Sequence, residues 1–243
     1  MRIIIEKDYG AVSKKAALLV ASQVTIKPDS VLGLATGSTP LGMYKELIAM
    51  YQQEEIDFSE VTTFNLDEYY RLPHDNPHSY HYYMNNEFFS HVDIKESNIF
   101  IPDGTVDDIN KECNNYERKI MRSGGIDLQV LGIGSNGHIG FNEPRDTLNV
   151  STGLVSLSEK TIIDNSRFFS SLEKVPKKAV TMGMATILKA SRILLLASGK
   201  GKAEAIQKTV SGYISTWTPS SLLQTHSEVT LIIDQDAASL IDS

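Results

Sequence analysis

The chain has 243 residues, 41% of them apolar and 22% charged, with a formal net charge of −7. That is ordinary globular usage, enough for one large α/β domain or two small ones, and it lacks the basic excess of a nucleic-acid binder. No run approaches the ~18 apolar residues of a membrane span, and one cysteine, Cys113, excludes an intrachain disulfide, so a reduced cytoplasmic compartment fits.

Residues 2–5 read as an opening strand, and the acids and lysines that follow are unlike a signal peptide. Asp8 is placed to cap a helix running to about residue 24, with Val12, Ala16, Leu19 and Val20 on one face. Residues 31–35, VLGLA, form a strand that meets Thr36, Gly37, Ser38 and Thr39. Thr39 suits the cap and Pro40 the first position of the amphipathic helix that follows. A strand at 61–66 ends at Asp67, Glu68 and Tyr69. Then come a loop at 73–77, an aromatic-rich helix at 78–89, a short strand at 99–101 and a charged helix at 107–122. Cys113 is a half-buried residue of that last helix, with no surroundings that would make it a nucleophile. The strand at 128–133 runs into GSNGHIGFNEP. The segment 147–178 is polar and serine-rich, and reads as a lid insertion over the site. After it come residues 178–181, a helix near 184–189, a strand at 192–197, a glycine-rich turn at 198–202 that opens a helix to 210, and a last strand at 229–233.

Strands alternating with helical runs predict an α/β fold with a mostly parallel sheet covered on both faces. Ligands of such sheets bind beyond the carboxyl ends of the strands. Four strand ends of this sequence carry polar clusters.

After VLGLA, residues Thr36, Gly37, Ser38 and Thr39 at a helix start are suited to cradle an anion, by free N–H groups, hydroxyls and the helix dipole. An ordinary capped turn has the same composition, and the Gly-Lys-Ser/Thr ending of a Walker motif is missing. Lys202, or its rival Lys200, offers a point charge to the same anion, and Arg167 a bidentate grip. After the next strand stands Asp67, a stronger base if partly desolvated. Its neighbour Glu68 points another way. The third cluster bears Asn136, His138, Asn142 and Glu143 among Gly134, Gly137 and Gly140. An imidazole there exchanges protons near neutral pH, and a nearby carboxylate fixes its tautomer. His74, His78 and His81, with Asp75, form no recognised metal-ligand pattern and read as surface or rim residues.

FNLDEYY at 64–70 together with GIGSNGHIGFNEP at 132–144 resembles the glucosamine-6-phosphate deaminase family. ATGSTP, NSRFF, the GKGKA turn and WTPSSLLQTH look like that family too, in the same order. The resemblance covers nearly the whole chain. It implies a single domain, 1–243, with a Rossmann-like three-layer α/β/α sandwich. The implied reaction is glucosamine 6-phosphate plus water to fructose 6-phosphate plus ammonia, in amino-sugar catabolism, without cofactor or metal. Position by position it makes Asp67 the proton-abstracting carboxylate, His138 the ring-opening base, and Glu143 and Asn136 its assistants. Asn136 stands where some members have Asp, so the amide is expected to orient the imidazole without added charge. Thr36, Gly37, Ser38, Thr39, Arg167 and Lys202 match the phosphate-binding set. Allosteric members, as the resemblance has it, are hexamers activated by N-acetylglucosamine 6-phosphate, with basic side chains after FNEP and a longer tail. Gly153 and Val155 stand in that region here and the chain stops at Ser243, so no such activation, and a monomer, are expected. Two rivals remain. A 6-phosphogluconolactonase-like enzyme or another sugar-phosphate isomerase would share the glycine-rich turn, though a lactonase would lack FNEP. A non-catalytic sugar-phosphate sensor would carry a DNA-binding domain ahead of a strand that here begins at Arg2.

Overall fold

In this computed structural model the described residues are 1–166, 169 and 171–241. Ten strands occur among them: β1 (Arg2–Glu6), β2 (Val31–Leu34), β3 (Thr62–Asn65), β4 (Asp67–Tyr69), β5 (Ile99–Phe100), β6 (Leu128–Leu131), β7 (Gly153–Ser156), β8 (Lys178–Thr181), β9 (Arg192–Ala197) and β10 (Val229–Asp234). The helices are α1 (Tyr9–Ile26), α2 (Ser38–Gln52), α3 (Tyr80–Glu87), α4 (Ile109–Arg122), α5 (Glu159–Ser166), α6 (Met184–Leu188) and α7 (Ala203–Thr209).

Strands that are apolar at nearly every position must be covered on both faces. RILLLA of β9 and VTLIID of β10 are such strands. They belong to a seven-stranded sheet in the order β1-β10-β9-β6-β2-β3-β5, in which every neighbouring pair is parallel. Alternate residues feed two cores. Leu32, Leu34, Val130, Leu194 and Ile232 pack against α1, α2 and α3 through Val12, Val20, Met43, Leu47 and Met84. Val31, Phe64, Leu131, Leu195 and Ile233 pack against α4, α6 and α7 through Tyr116, Ile120, Ile187 and Ile206. The result is a three-layer α/β/α sandwich with an open sheet. Asp8 caps α1 by accepting from the N–H of Ala11 at 2.8 Å. Cys113 is buried on the inner face of α4, where burial pushes its thiol up to about 11 and leaves it unreactive.

The strand order fixes where a ligand can sit. From β2 the sheet grows through β3 to β5, and from β6 it grows the other way through β9 to β10. The chain therefore leaves β2 and β6 in opposite directions, and a crevice opens between their carboxyl ends.

Two features differ from the sequence reading. A second sheet, β4-β8-β7, is antiparallel, pairing Asp67 with Thr181 and Val155 with Ala179. Strands of three and four residues are too short to show an alternation. The polar segment 147–178 thus contributes a strand and a buried side, with Val155 and Leu157 packed on Tyr69 and Phe141. Glu117 of α4 fastens this region by accepting from the Thr152 N–H at 2.7 Å and the hydroxyls of Thr152 and Thr186, each at 2.6 Å. The second difference is the start of α2. It begins at Ser38 after Gly37, whose φ of 96° makes a turn that glycine takes without strain. Pro40 then lies in the first turn, where no N–H has an intrahelical partner and proline removes nothing. Thr39 is therefore inside the helix and is not its cap.

Candidate active site

A cavity of about 790 Å³ occupies the crevice. Its floor comes from the ends of β2, β3 and β6, and one wall from α5. Ala35, Thr36, Gly37, Ser38 and Thr39 line one side, Asp67 and Tyr69 another, and Gly134, Ser135, His138 and Gly140 a third. The four strand-end clusters converge here, because parallel strands present all their carboxyl ends at one edge.

Asp67 opens β4, one residue after Leu66, whose carbonyl accepts from the N–H of Met182 at 2.8 Å. That bond turns the chain out of the main sheet and sets Asp67 on the cavity wall. Its side chain is buried. Burial, and then the charge of Glu68, push the carboxyl up to about 8. Tyr69 and Tyr80 pack beside it with ring centroids 5.0 Å apart, and burial pushes the Tyr69 phenol up to about 12.

His138 is held by the glycine turn. Gly134 donates to the carbonyl of His138 at 2.9 Å, and Gly137, at φ 85°, donates to that of Gly134 at 3.0 Å. Imidazole Nδ1 stands 3.3 Å from Glu143 Oε2, an ion-pair distance without hydrogen-bond alignment. Asn136 does not reach the ring. Its amide donates to Glu143 Oε2 at 3.0 Å, and its oxygen accepts from the backbone N–H of His138 at 3.2 Å. The expected amide–imidazole bond is therefore replaced by a brace on the carboxylate and on the backbone. Glu143 also accepts from the Thr161 hydroxyl of α5. Burial alone would raise the carboxyl of Glu143, but the His138 imidazole, Thr161 and Asn136 outweigh it and hold it at about 2. Asn136 and Glu143 thus stand behind His138. Asn142 fixes the same turn by donating to the carbonyls of Ile139 at 3.0 Å and Met182 at 2.8 Å.

At the far side, Gly37, Ser38 and Thr39 begin α2. The Tyr83 hydroxyl donates to the Gly37 carbonyl at 2.7 Å, and the Tyr9 hydroxyl to that of Ser38 at 2.9 Å. These bonds leave the first-turn N–H groups for a ligand. Lys202 lines the cavity and donates to the Ile133 carbonyl at 2.7 Å, whereas Lys200 is exposed and lines none of it. Asp234 shapes this turn, accepting from the Gly199 N–H at 3.0 Å. Arg167 lies outside the described residues. His74 and His81 stack on each other with centroids 3.6 Å apart, away from the lining, while His78 reaches the cavity against Phe169.

Sequence reasoning missed Tyr80, Thr161, Asn165 and Phe169 as lining residues. Asn165 donates to the Tyr69 hydroxyl at 2.9 Å. Asn165 and Phe169 lie in the NSRFF motif, which could have pointed to them, whereas Thr161 carries no signal beyond its place in the polar segment 147–178.

The fold is an α/β sandwich whose cavity brings a buried carboxylate, an imidazole and a helix N-terminus to one edge of the sheet, the composition of an enzyme active site. Residues 9–232 match the family model for glucosamine-6-phosphate isomerases/6-phosphogluconolactonase, and the chain belongs to that family. It is 68% identical to the glucosamine-6-phosphate deaminase of Halothermothrix orenii, over 99% of this chain and 100% of that one. It is 58% identical to that of Alkaliphilus metalliredigens, over the full length of both. The solved structure of a monomeric glucosamine-6-phosphate deaminase superposes with a TM-score of 0.96 at 51% identity, covering 99% of this chain and 100% of the other. A 6-phosphogluconolactonase from Thermotoga maritima shares the fold, with a TM-score of 0.74 at 22% identity over 96% and 98% of the two chains.

Proposed function

We propose that the protein converts D-glucosamine 6-phosphate and water to D-fructose 6-phosphate and ammonia. The observation that carries this reading is that Asp67, His138 and the start of α2 open into one cavity. One end of that cavity suits proton transfer and the other suits a phosphate.

The phosphate binds at Gly37, Ser38 and Thr39 with Lys202, and with Arg167 as a further ligand. Anchoring this remote end positions C1 and C2 at the other. His138 takes the proton of the anomeric hydroxyl and delivers one to the ring oxygen, opening the pyranose. Glu143, kept ionised, holds the ring and stabilises its cationic form. The open aldehyde acidifies the C2 hydrogen. Asp67 takes that proton while the electrons move toward the C1 carbonyl, giving an enolamine, and then returns it to C1. The resulting iminium at C2 adds water, the C–N bond breaks, and ammonia leaves. A base with a raised pKa is a strong base once ionised, and the cationic amine of the bound substrate favours its ionisation. No redox step is involved.

Segment 147–178 acts as a lid, since α5 brings Thr161, Ile163 and Asn165 to the cavity wall. No helix among the described residues is long and apolar enough to cross a membrane. We place the protein in the cytoplasm, without an allosteric effector, and as a monomer; only the last of these accords with the monomeric relative. The test is direct: purified protein with glucosamine 6-phosphate should release ammonia and form fructose 6-phosphate, and should leave 6-phosphogluconolactone unopened. Lactone hydrolysis without ammonia release would refute the reading.

A further inference from the structure

Glu68 follows the proposed base directly, and its carboxylate is fully buried. Oε1 accepts from the backbone N–H of Tyr69 at 2.7 Å and of Tyr80 at 3.0 Å. Oε2 accepts from the backbone N–H of His81 at 2.9 Å and meets His81 Nδ1 at 2.8 Å. Tyr80 and His81 are the first two residues of α3, whose N–H groups have no intrahelical partner. Ser79 caps the same turn by accepting from Tyr82 at 3.0 Å. Each oxygen is engaged by two nitrogens, so both ends of the carboxyl group are fixed in place.

This grip has more reach than a helix cap needs. Through Tyr69 it fixes β4, the strand that Asp67 begins. Through Tyr80 it fixes a phenol that packs on Tyr69 and lines the same cavity as Thr36 of the anion cradle. Loop 103–105 braces it from outside. The Gly104 carbonyl accepts from Arg71 at 2.8 Å, and Asp103 meets the His74 ring that stacks on His81.

We propose that Glu68 is a positioning residue for the reaction: it locks Asp67, Tyr80 and the start of α3 in one geometry and sets its carboxylate beside the base. The inference rests on the deaminase reading. A fixed charge at this site makes Asp67 hold its proton more tightly and act as a stronger base when ionised. The upward displacement of Asp67, caused by burial and then by Glu68, accords with this. The other titratable groups around Asp67 are the phenols of Tyr69, Tyr80 and Tyr116, all pushed up by burial, and His78 and His138 on the same cavity.

Ammonia release from glucosamine 6-phosphate is measured against pH, from about 6 to about 9, for the wild type, Glu68→Gln and Glu68→Asp. Glu68→Gln should move the ascending limb of kcat/KM down by about one pH unit or more and lower the plateau about tenfold. Glu68→Asp keeps the charge but is too short to hold both Tyr80 and His81. Its limb should stay within about 0.3 unit of the wild type while its plateau falls about tenfold. A Glu68→Gln limb that coincides with the wild type overturns the inference, as does a Glu68→Asp plateau equal to it. If Glu68→Gln does not fold, Glu68→Asp decides through its plateau. A wild type that releases no ammonia overturns the deaminase reading, and this inference with it; a wild-type limb in Glu68→Gln overturns the inference alone.

Discussion

A single methyl group at Gly134 tests whether the placement of His138 governs turnover. A Cβ built there lies 2.3 Å from Cε1, 2.5 Å from Nδ1 and 2.6 Å from Nε2 of His138. The near-equal distances mean that the imidazole lies flat on Gly134. Ordinary van der Waals contact begins at 3.4 Å, so in Gly134→Ala the ring retreats by roughly 1 Å. Gly134 is not among the positive-φ residues, so alanine strains no dihedral there. The cost is overpacking, about 1–3 kcal/mol, which for a chain of this length lowers Tm by roughly 2–12 °C and leaves the protein folded. A displacement of about 1 Å is on the scale that costs on the order of 100-fold in rate. The retreat also breaks the 3.3 Å approach of Nδ1 to Glu143. Steady-state ammonia release should show kcat down about 100-fold and KM within about threefold, because the anion cradle on α2 is untouched. A folded Gly134→Ala protein with wild-type kcat would refute the claim that this ring position matters.

Three further outcomes are expected. The wild-type kcat/KM should rise with pH toward a limb near 8, because burial and the charge of Glu68 keep Asp67 protonated below that value and only the carboxylate abstracts the C2 proton; a flat profile from about pH 6 to 9 would contradict it. Lys202→Ala should raise KM for the phosphate ester about 10–100-fold, the scale of a lost charged hydrogen bond, whereas Lys200→Ala should stay within about threefold. Hydrogen exchange across 147–178 should slow when substrate or product is bound, and equal protection with and without ligand would count against a lid.

How far the sequence reaches differs between the sheet and the site. β9 and β10 are legible because a strand buried on both faces is apolar at nearly every position, as the runs ILLLA of β9 and LII of β10 are. The crevice between β2 and β6 follows from strand order, which pairing distant in sequence decides; local pattern carries none of it. The antiparallel sheet was not legible either. Its β4 is only Asp67, Glu68 and Tyr69, held by the distant partner Lys178–Thr181. At the site, Asp67 and His138 stood out because titratable groups at strand ends and among glycines have no structural necessity. The role of Asn136 was mistaken in detail, since the direction of an amide depends on where Glu143 comes to lie. Glu68 is visible beside Asp67, but its grip is not, because its partners, Tyr80 and His81, lie twelve and thirteen residues away. Nothing local in GKGKA says which lysine faces the cavity. Only the backbone path after β9 turns Lys202 inward and leaves Lys200 in solvent.

The most direct test of the central claim is turnover and binding measured together on Asp67→Asn. The amide keeps the shape of the wall and removes the base. The expected result is a fall in ammonia release of at least ~100-fold, the scale of a general base, with glucosamine 6-phosphate still bound within a few-fold of the wild-type affinity. Undiminished ammonia release by a folded Asp67→Asn protein would contradict it.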